Sequence, residues 1–360
     1  MSSGVTALLR HRLFWPAMAL VVLLAVDAVH TPGFLAVRVQ DGHLYGSLID
    51  ILRYGAPLVL VSVGMTLVIA ARGIDLSVGA VVAISGALAC LHIEGLTDQN
   101  AVTGVLVAVV LAFAVAAALG LWNGILVSRF RIQPIVATLI LMVAGRGLAQ
   151  LLTEGQIITV DSDPYRVIGG GFLLGLPVPV LIAAAITVLM VLLLRRTALG
   201  LLLESVGGNA EASRLAGVRA GGLIVAAYVV CACCAAIAGL MSSSNVSAAD
   251  SNNAGLWIEL DAILAVVIGG TALTGGRFHL GGTVLGALVI QTLTTTIYTI
   301  GVAPETTLLF KALVVIAVCL VQSPAFRAKV FRKRPPDQRK PLADTGGEVL
   351  AEATRKSVSR

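Results

Sequence analysis

Long apolar runs without charge are the feature that most constrains what this chain can fold into. The segment 102–128 contains no Asp, Glu, Lys or Arg, and several other runs of more than 18 residues are nearly uncharged. A helix of about 20 such residues crosses the roughly 30 Å hydrocarbon core of a bilayer. Only 12% of the 360 residues are charged, about half the usual share of a soluble domain. The sequence therefore predicts an all-α, polytopic membrane protein, and the solid apolar runs exclude the alternating strands of a β-barrel.

Ten segments have the length and composition of membrane spans. They are 13–29, 51–71, 77–93, 102–127, 134–152, 172–194, 223–242, 258–273, 283–300 and 306–321. We expect a membrane domain at 13–322, after a cytoplasmic N-terminus at 1–12 and before a basic, disordered cytoplasmic tail at 323–360. A cleaved signal peptide is the alternative interpretation of the first run, although no clear small-x-small site follows it.

The distribution of basic residues predicts the orientation of these spans. Short cytoplasmic loops are enriched in Lys and Arg. With ten spans and both termini in the cytoplasm, 20 of the 25 Lys and Arg residues lie in cytoplasmic segments. The exceptions are Arg38, Arg53, Arg146, Arg166 and Lys311. The net charge of +6 thus follows membrane topology, and we expect no nucleic-acid partner.

No motif in the sequence indicates catalysis or metal binding. The five cysteines and five histidines show no zinc spacing, and Cys231, Cys233 and Cys234 are expected to be small packing residues of a helix. The phosphate-binding motif GxxxxGK[ST] is absent from the sequence. We therefore expect a chain that is not an enzyme by itself and that binds no nucleotide, cofactor or metal of its own.

Polar residues inside or beside the spans are candidates for a translocation path. They are Asp75, Asn123, Gln133, Thr138, Arg146, Asp261 and Gln291. Charged groups at mid-membrane are costly and mark ion or proton pathways. Since only Arg146 lies well inside a span, the pattern argues against ion-coupled transport, and neutral polar groups suit a hydroxyl-rich solute. For any one of these residues, hydrogen bonding between helices or capping of a helix end is the alternative.

Two glycine-containing segments interrupt the apolar runs. RGIDLSVG begins at Arg72, and GGTALTGGRF begins at Gly269. In one interpretation Gly73 ends a helix, and Asp75 or Ser77 caps the next. In the other, the broken backbone forms part of the permeation path, because irregular backbone at membrane depth persists only where protein or a cavity covers it.

The longest polar interruption, 195–221, is predicted to be a cytoplasmic coupling loop. Its candidate residues are Glu204, Gly207, Gly208, Asn209, Glu211, Arg214, Leu215 and Gly217. The two adjacent glycines would free the backbone to turn, Asn209 is a good N-cap, Glu211 suits the first turn and Gly217 suits the position after the C-cap. A helix of about seven residues, roughly 10 Å long, is marginal alone. We expect Leu215 to dock in a groove of a separate protein, with Glu204 and Arg214 at its rim. A solvated loop helix is the alternative.

Four segments in this order carry a family resemblance. They are GMTLVIAARGIDLSVGAVVAISGAL, GLWNGILVSRFRIQPIVATLILMVAGRGLAQ, VGGNAEASRLAGV and LDAILAVVIGGTALTGGRF. Across about 13–323, the chain resembles the permease subunits of ribose-type ATP-binding-cassette sugar importers. VQDGHLYGSLIDIL, NGILVSRFRIQP and DSNNAGLWIELDAILAVVIGG are most similar to the galactofuranose importers of that family.

This resemblance implies an inner-membrane subunit that passes a monosaccharide, similar to galactofuranose, galactose or ribose, from periplasm to cytoplasm. It implies three protein partners: a homologous or identical second permease, a cytoplasmic ATPase that holds ATP and Mg, and a periplasmic sugar-binding protein. Three alternatives stay open: an ion-coupled secondary transporter, a structural or channel subunit, and a permease for an amino acid or autoinducer.

Overall fold

The computed structural model describes residues 13–301 and, beyond them, 306, 308–313, 316 and 320. The chain divides into two compact units, Met1–Cys319 and Leu320–Arg360, and every element named below belongs to the first. The described part is mostly helical, with only short two-stranded sheets. The segments predicted as the cytoplasmic N-terminus, 1–12, and the basic tail, 323–360, lie outside the described residues.

Between residues 13 and 301, twelve helices and six short strands follow one another. The helices are α1 (Phe14–His30), α2 (Ser47–Ala70), α3 (Val78–Glu94), α4 (Val102–Ser128), α5 (Pro134–Leu152), α6 (Asp163–Gly170), α7 (Val178–Arg196), α8 (Leu199–Gly208), α9 (Ala210–Leu215), α10 (Ala220–Val246), α11 (Ile258–Ile268) and α12 (Leu280–Thr299). The strands are β1 (Arg38–Gln40), β2 (His43–Tyr45), β3 (Ile158–Thr159), β4 (Phe172–Leu173), β5 (Leu176–Pro177) and β6 (Ala248–Ala249).

Six of the helices are long and apolar enough to cross a membrane: α2, α4, α5, α7, α10 and α12. Each of the first nine predicted spans contains a helix, and α1 and α3 are apolar helices of 17 residues. The sixth predicted span, 172–194, was wrong at its start, because 172–177 form the β4–β5 hairpin and the helix begins at Val178. The tenth predicted span, 306–321, lies only partly within the described residues. The count of ten spans therefore stays a prediction.

The eighth predicted span is shorter than the sequence indicated. We expected a helix over 258–273, but α11 ends at Ile268 after 11 residues. At 1.5 Å per residue it is about 16 Å long, roughly half of the hydrocarbon core. The chain leaves the helix at Gly269 and Gly270, and Gly270 adopts a φ of +86°. The apolar segment up to Leu273 therefore lies in an irregular connection rather than in a helix.

The core lies where α10 packs against α2, α3 and α4. Small residues bring these helices together, as is typical of membrane bundles. A Cβ at Gly64 on α2 would lie 2.8 Å from the Cα of Cys231, and one at Gly120 on α4 would lie 2.8 Å from the Cα of Val229. Cys231 and Cys234 are buried free thiols at this contact, which agrees with their predicted role as small packing residues.

Short strands and α6 lie at one end of the bundle, which we call the hairpin end. Strands β1 and β2 form one antiparallel hairpin, and β4 and β5 form another. The sequence predicted only a loop between the fifth and sixth spans, but this loop contains β3, which pairs with β6, and α6. The Tyr165 hydroxyl lies 2.6 Å from Ser243 Oγ, and Ser244 Oγ donates to the Tyr165 carbonyl at 2.5 Å. These bonds fix α6 to α10.

Candidate functional site

The predicted coupling loop consists of two short helices, α8 and α9, at the end of the bundle opposite the hairpins. The sequence indicated one helix here and missed α8, whose first turns are apolar. Asn209 separates the two helices in an extended conformation, and its Oδ1 accepts a hydrogen bond from the Ala212 amide at 3.0 Å. This is the N-cap contact that the sequence predicted.

The last turn of α9 also has the predicted ending. Gly217 has a φ of +85°, a conformation that favours glycine. The Gly217 amide donates to the Arg214 carbonyl at 3.0 Å, and the Val218 amide donates to the Ser213 carbonyl at 3.0 Å. This pair of bonds is a Schellman motif. With both ends capped, this six-residue helix has a defined shape despite its length.

The surface of α9 combines one exposed leucine with an ion pair. Leu215 is 78% exposed. Arg214 and Glu211 form an exposed salt bridge at 2.6 Å, and the hydrogen bond from Arg214 lowers the pKa of the Glu211 carboxyl. Glu204 does not join them: it lies on α8 and lines a cavity of about 340 Å³ together with Arg195. The sequence thus found the exposed leucine, but its two predicted rim residues have different surroundings.

The two glycines at the end of α8 have different environments. Both lie inside the helix, and neither has a positive φ, so the prediction that they free the backbone to turn is wrong. The turn occurs at Asn209. A Cβ at Gly207 would overlap the carbonyl oxygen of Ala70 at the end of α2, whereas a Cβ at Gly208 would meet nothing within 4 Å. Gly207 is thus a close-packing position and Gly208 an open one.

The two breaks in the apolar runs meet beside α8. The Gly276 amide donates to the Ala70 carbonyl at 2.9 Å. Arg72, with a φ of +66°, donates through Nε to the Thr274 carbonyl at 2.9 Å. The end of α2, the loop after α11 and the coupling helices therefore form one contact region, which the sequence alone did not connect.

A buried polar cluster lies just beyond the first break. Asp75 Oδ1 accepts hydrogen bonds from the Ser77 amide at 2.9 Å and from the Ser77 hydroxyl at 2.6 Å. Asn123 Nδ2 on α4 donates to the same hydroxyl at 2.9 Å. Thr138 on α5 donates to the Ile74 carbonyl at 3.1 Å. Three of the seven predicted path residues are thus brought together, in a closed and buried arrangement.

Two polar atoms near this cluster have no partner. The buried Asn123 Oδ1 and the buried Tyr228 hydroxyl make no hydrogen bond. Gly73 lies against Tyr228, since a Cβ there would lie 2.5 Å from the hydroxyl oxygen. Buried polar atoms in proteins nearly always find a partner. These atoms are therefore free to bond a polar group admitted to the cluster.

The other four predicted path residues lie apart from the cluster. Gln133 is exposed at the start of α5, and its side chain makes no capping bond. Arg146 donates through one guanidinium nitrogen to the carbonyls of Ser251 at 3.2 Å and Ala254 at 2.5 Å. It therefore holds the segment that precedes α11. In the structure, the Arg146 guanidinium bonds to backbone carbonyls and does not line an open path.

Asp261 and Gln291 make separate contacts again. Asp261 forms a salt bridge of 2.6 Å with Lys311, and both side chains are largely buried. The side chain of Gln291 on α12 lies against Gly55 on α2, where a Cβ would be 3.2 Å from Gln291 Cγ. The seven predicted residues thus do not line one continuous path in this conformation.

The sequence analysis missed one further buried contact in the membrane region. Asp27 on α1 is fully buried and accepts a hydrogen bond from Thr296 on α12 at 2.8 Å. A single carboxyl in the first apolar run was the available signal. Among the described residues, no group of three His, Cys, Asp or Glu side chains could hold a metal ion.

Comparison with known proteins identifies the family of this chain. A family model described as branched-chain amino acid transport system / permease component matches residues 47–319. The chain belongs to this family. The galactofuranose transporter permease of Escherichia coli strain K12 is 50% identical over 324 residues, which cover 88% of this chain and 93% of that protein.

Two further relatives extend the comparison. The fructose import permease of Bifidobacterium longum strain NCC 2705 is 40% identical over 339 residues, which cover 92% of this chain and 94% of that one. The ribose import permease of Escherichia coli strain K12 is 36% identical over 310 residues, which cover 85% of this chain and 92% of that one. The resemblance to ribose-type permeases is therefore confirmed.

This membership decides three coarse properties of the permease. It is a multi-pass membrane protein, as its apolar helices also indicate. It is a transport component rather than an enzyme. Its family also implies an ATPase and a substrate-binding protein as partners.

Proposed function

We propose that the permease carries a monosaccharide from periplasm to cytoplasm through the inner membrane, and that a separate ATPase drives it. The observation that carries the substrate class is the 50% identity to a galactofuranose permease, supported by relatives named for fructose and ribose. Within that class, galactofuranose or galactose comes first and a ribose-like sugar second. ATP and Mg are bound by the ATPase, and a periplasmic sugar-binding protein delivers the solute.

The coupling element of this proposal is α9. Its two caps give it a fixed shape, and Leu215 offers an apolar side chain that is largely exposed. A cleft of the ATPase that receives Leu215 would move α9, and with it the contact region at Ala70 and Gly276. The Glu211–Arg214 pair would lie at the edge of the cleft, and Glu204 would reach the ATPase only at the neighbouring cavity.

The path in this proposal opens at the polar cluster of Asp75, Asn123 and Thr138. The cluster lies next to the first break, so a motion transmitted through Ala70 reaches it over a few residues. Its unpartnered oxygen atoms are suited to sugar hydroxyls. A second permease, homologous or identical, would complete the path. The exposed apolar faces of α4, α5 and α7 are left for that subunit and for lipid.

Gly208 and Leu215 provide a sharp test of docking. A Cβ at Gly208 would meet nothing within 4 Å, so we expect Gly208→Leu to leave the chain folded and to disturb a protein seated on α8 and α9. We expect Gly208→Leu and Leu215→Asp each to abolish co-purification of the ATPase while the amount of permease stays unchanged. Gly147→Leu is the matched control, since Gly147 also has open space but lies on α5. An intact, active complex in both test variants would exclude α9 as the coupling element.

Uptake measurements test the substrate class. Cells that express the permease with its ATPase and binding protein should accumulate labelled galactofuranose, and excess galactose or ribose should compete less well. Failure of all three sugars, together with uptake of an amino acid or an autoinducer, would contradict the sugar proposal and favour the alternative permease class.

A further inference from the structure

Two hairpins at the hairpin end use the same tight turn with different residues. In the first, Asp41 and Gly42 link β1 to β2 with φ values of +52° and +77°. In the second, Leu174 and Gly175 link β4 to β5 with φ values of +53° and +79°. Both are two-residue turns with two left-handed residues, the type I′ geometry that favours Asn–Gly or Asp–Gly. The second hairpin therefore carries a leucine where an Asn or Asp is expected.

The side chain of Leu174 makes little apolar contact within the chain to offset this unfavourable conformation. A bulky side chain is strongly disfavoured at positive φ. Leu174 is nevertheless 90% exposed, and its neighbour Leu173 is 58% exposed. A leucine side chain this exposed gains little from the hydrophobic effect. Burial of the Leu174 side chain within this chain therefore does not offset its backbone conformation.

The turn is held on a firm support. The Leu44 amide of the first hairpin donates to the Gly175 carbonyl at 2.9 Å. The Phe172 ring packs against His43, with centroids 4.7 Å apart, and against Tyr45, with centroids 5.1 Å apart. The two hairpins therefore form one unit, and Leu174 projects from it at a defined position.

The position of α7 places this unit at the membrane surface. Helix α7 starts at Val178, directly after β5, and ends at Arg196. Its 19 residues span about 28 Å, which matches the hydrocarbon core. The residues from Val167 to Leu194 include no charged side chain, so the uncharged run continues past the helix into the hairpin. A tyrosine such as Tyr45, which packs on Phe172, is typical of the interface between membrane and water.

We propose that the β4–β5 hairpin is a lipid anchor that inserts Leu174 and Leu173 into the leaflet at the hairpin end. We take lipid as the occupant because the hairpin bears no charge and its exposed leucines directly precede α7, an apolar helix that is mostly exposed within the chain. The anchor fixes the depth at which α7 begins. Assignment to the outer leaflet rests on the orientation proposed above, whereas insertion itself does not.

Photo-crosslinking tests directly whether lipid, protein or water contacts Leu174. A photoreactive leucine analogue is placed at Leu174, and at Asp41 as the matched control, in permease reconstituted in lipid nanodiscs. We expect lipid adducts at position 174, water adducts at position 41, and the same pattern after addition of the binding protein. Protein adducts at 174, or water adducts at both positions, would overturn the proposal. Neither ATPase nor solute is needed, so the result is independent of the proposed function.

Amide hydrogen exchange gives a second test, because a hairpin held by lipid and a hairpin without a lipid anchor predict opposite changes in exchange rate. Leu174→Asn creates the preferred Asn–Gly turn, so an anchor-free hairpin should exchange its amides more slowly in the variant. If lipid holds the hairpin, losing the leucine side chain should speed exchange in 171–177 by about tenfold in nanodiscs. Exchange in 38–40 should stay unchanged. Slower or equal exchange in 171–177 would contradict the anchor.

Discussion

At the scale of single residues, Gly207 and Gly208 differ in what a side chain would meet. We predict that Gly207→Ala destabilises the purified permease by about 1–3 kcal/mol, because the added carbon overlaps the Ala70 carbonyl at a packed backbone contact. Gly208→Ala should be neutral or stabilising by up to about 1 kcal/mol, since alanine favours the helix and meets no atom. Thermal unfolding in detergent measures both, and equal effects would refute the packing assignment.

Asn123 is the residue that best tests the polar cluster. Asn123→Ala removes the donor to Ser77, worth about 1 kcal/mol, together with the unpartnered Oδ1. We expect assembly with the ATPase to persist while solute uptake falls by about tenfold. Ser85→Ala is the control, because it removes a buried hydroxyl on α3 that has no hydrogen-bond partner. Normal uptake in Asn123→Ala would remove this residue from the path.

At the scale of elements, α5 secures the start of α11 through two side chains of unequal burial. Arg146 makes two charged hydrogen bonds to the carbonyls of Ser251 and Ala254. Gln150 makes one exposed bond, to Asn252 at 2.9 Å. Bonds to a charged donor contribute about 1.5–3 kcal/mol each. We predict that Arg146→Ala lowers the unfolding free energy by about 2–4 kcal/mol, and Gln150→Ala by less than about 1 kcal/mol.

The Arg146→Ala variant also separates a structural role of Arg146 from a role in the solute path. If Arg146 acts through the 251–254 segment, Arg146→Ala should increase proteolysis of that segment and reduce uptake together. Reduced uptake with an unchanged unfolding temperature and an unchanged proteolysis pattern would instead return Arg146 to the solute path, where the sequence first placed it.

Local signals in the sequence predicted the elements well, and contacts between distant elements poorly. The caps of α9 follow from Asn209 and Gly217, because each acts on its own backbone. The role of Gly207 depends on Ala70, which is far away in sequence. Likewise, the pair Gly269–Gly270 indicated a break, but the predicted span 258–273 extended past it, whereas the helix ends at Ile268. The seven predicted path residues do not line one continuous path, because contacts between distant elements decide which polar groups meet.

At the scale of the whole molecule, the predicted alternation of loops agrees with contacts at the two ends of the bundle. Loops assigned to the outer side bond to one another: Asn100 accepts from the Asp163 amide, and Arg166 donates to Ser247. Segments assigned to the inner side do the same, through Arg72 and Thr274. These contacts group the loops into two sets, one at each end of the bundle.

Reporter fusions test the orientation. Fusions at four positions should report the periplasm: His43, Asp98, Ser162 and Asn252. Fusions at three others should report the cytoplasm: Arg131, Asn209 and Gln338. We expect this pattern because 20 of 25 basic residues then lie on the inner side. A cytoplasmic signal at Asn252 would overturn the ten-span arrangement.

The central claim is that a separate ATPase drives a sugar through this permease by acting on α9. The most direct measurement is uptake of labelled galactofuranose into proteoliposomes that contain permease and ATPase, with the binding protein outside and ATP inside. We predict ATP-dependent accumulation, none without the ATPase, and at least about a tenfold loss in Leu215→Asp, whose charge would be buried in the docking cleft. Uptake driven by an ion gradient without the ATPase, or undiminished in Leu215→Asp, would contradict the account.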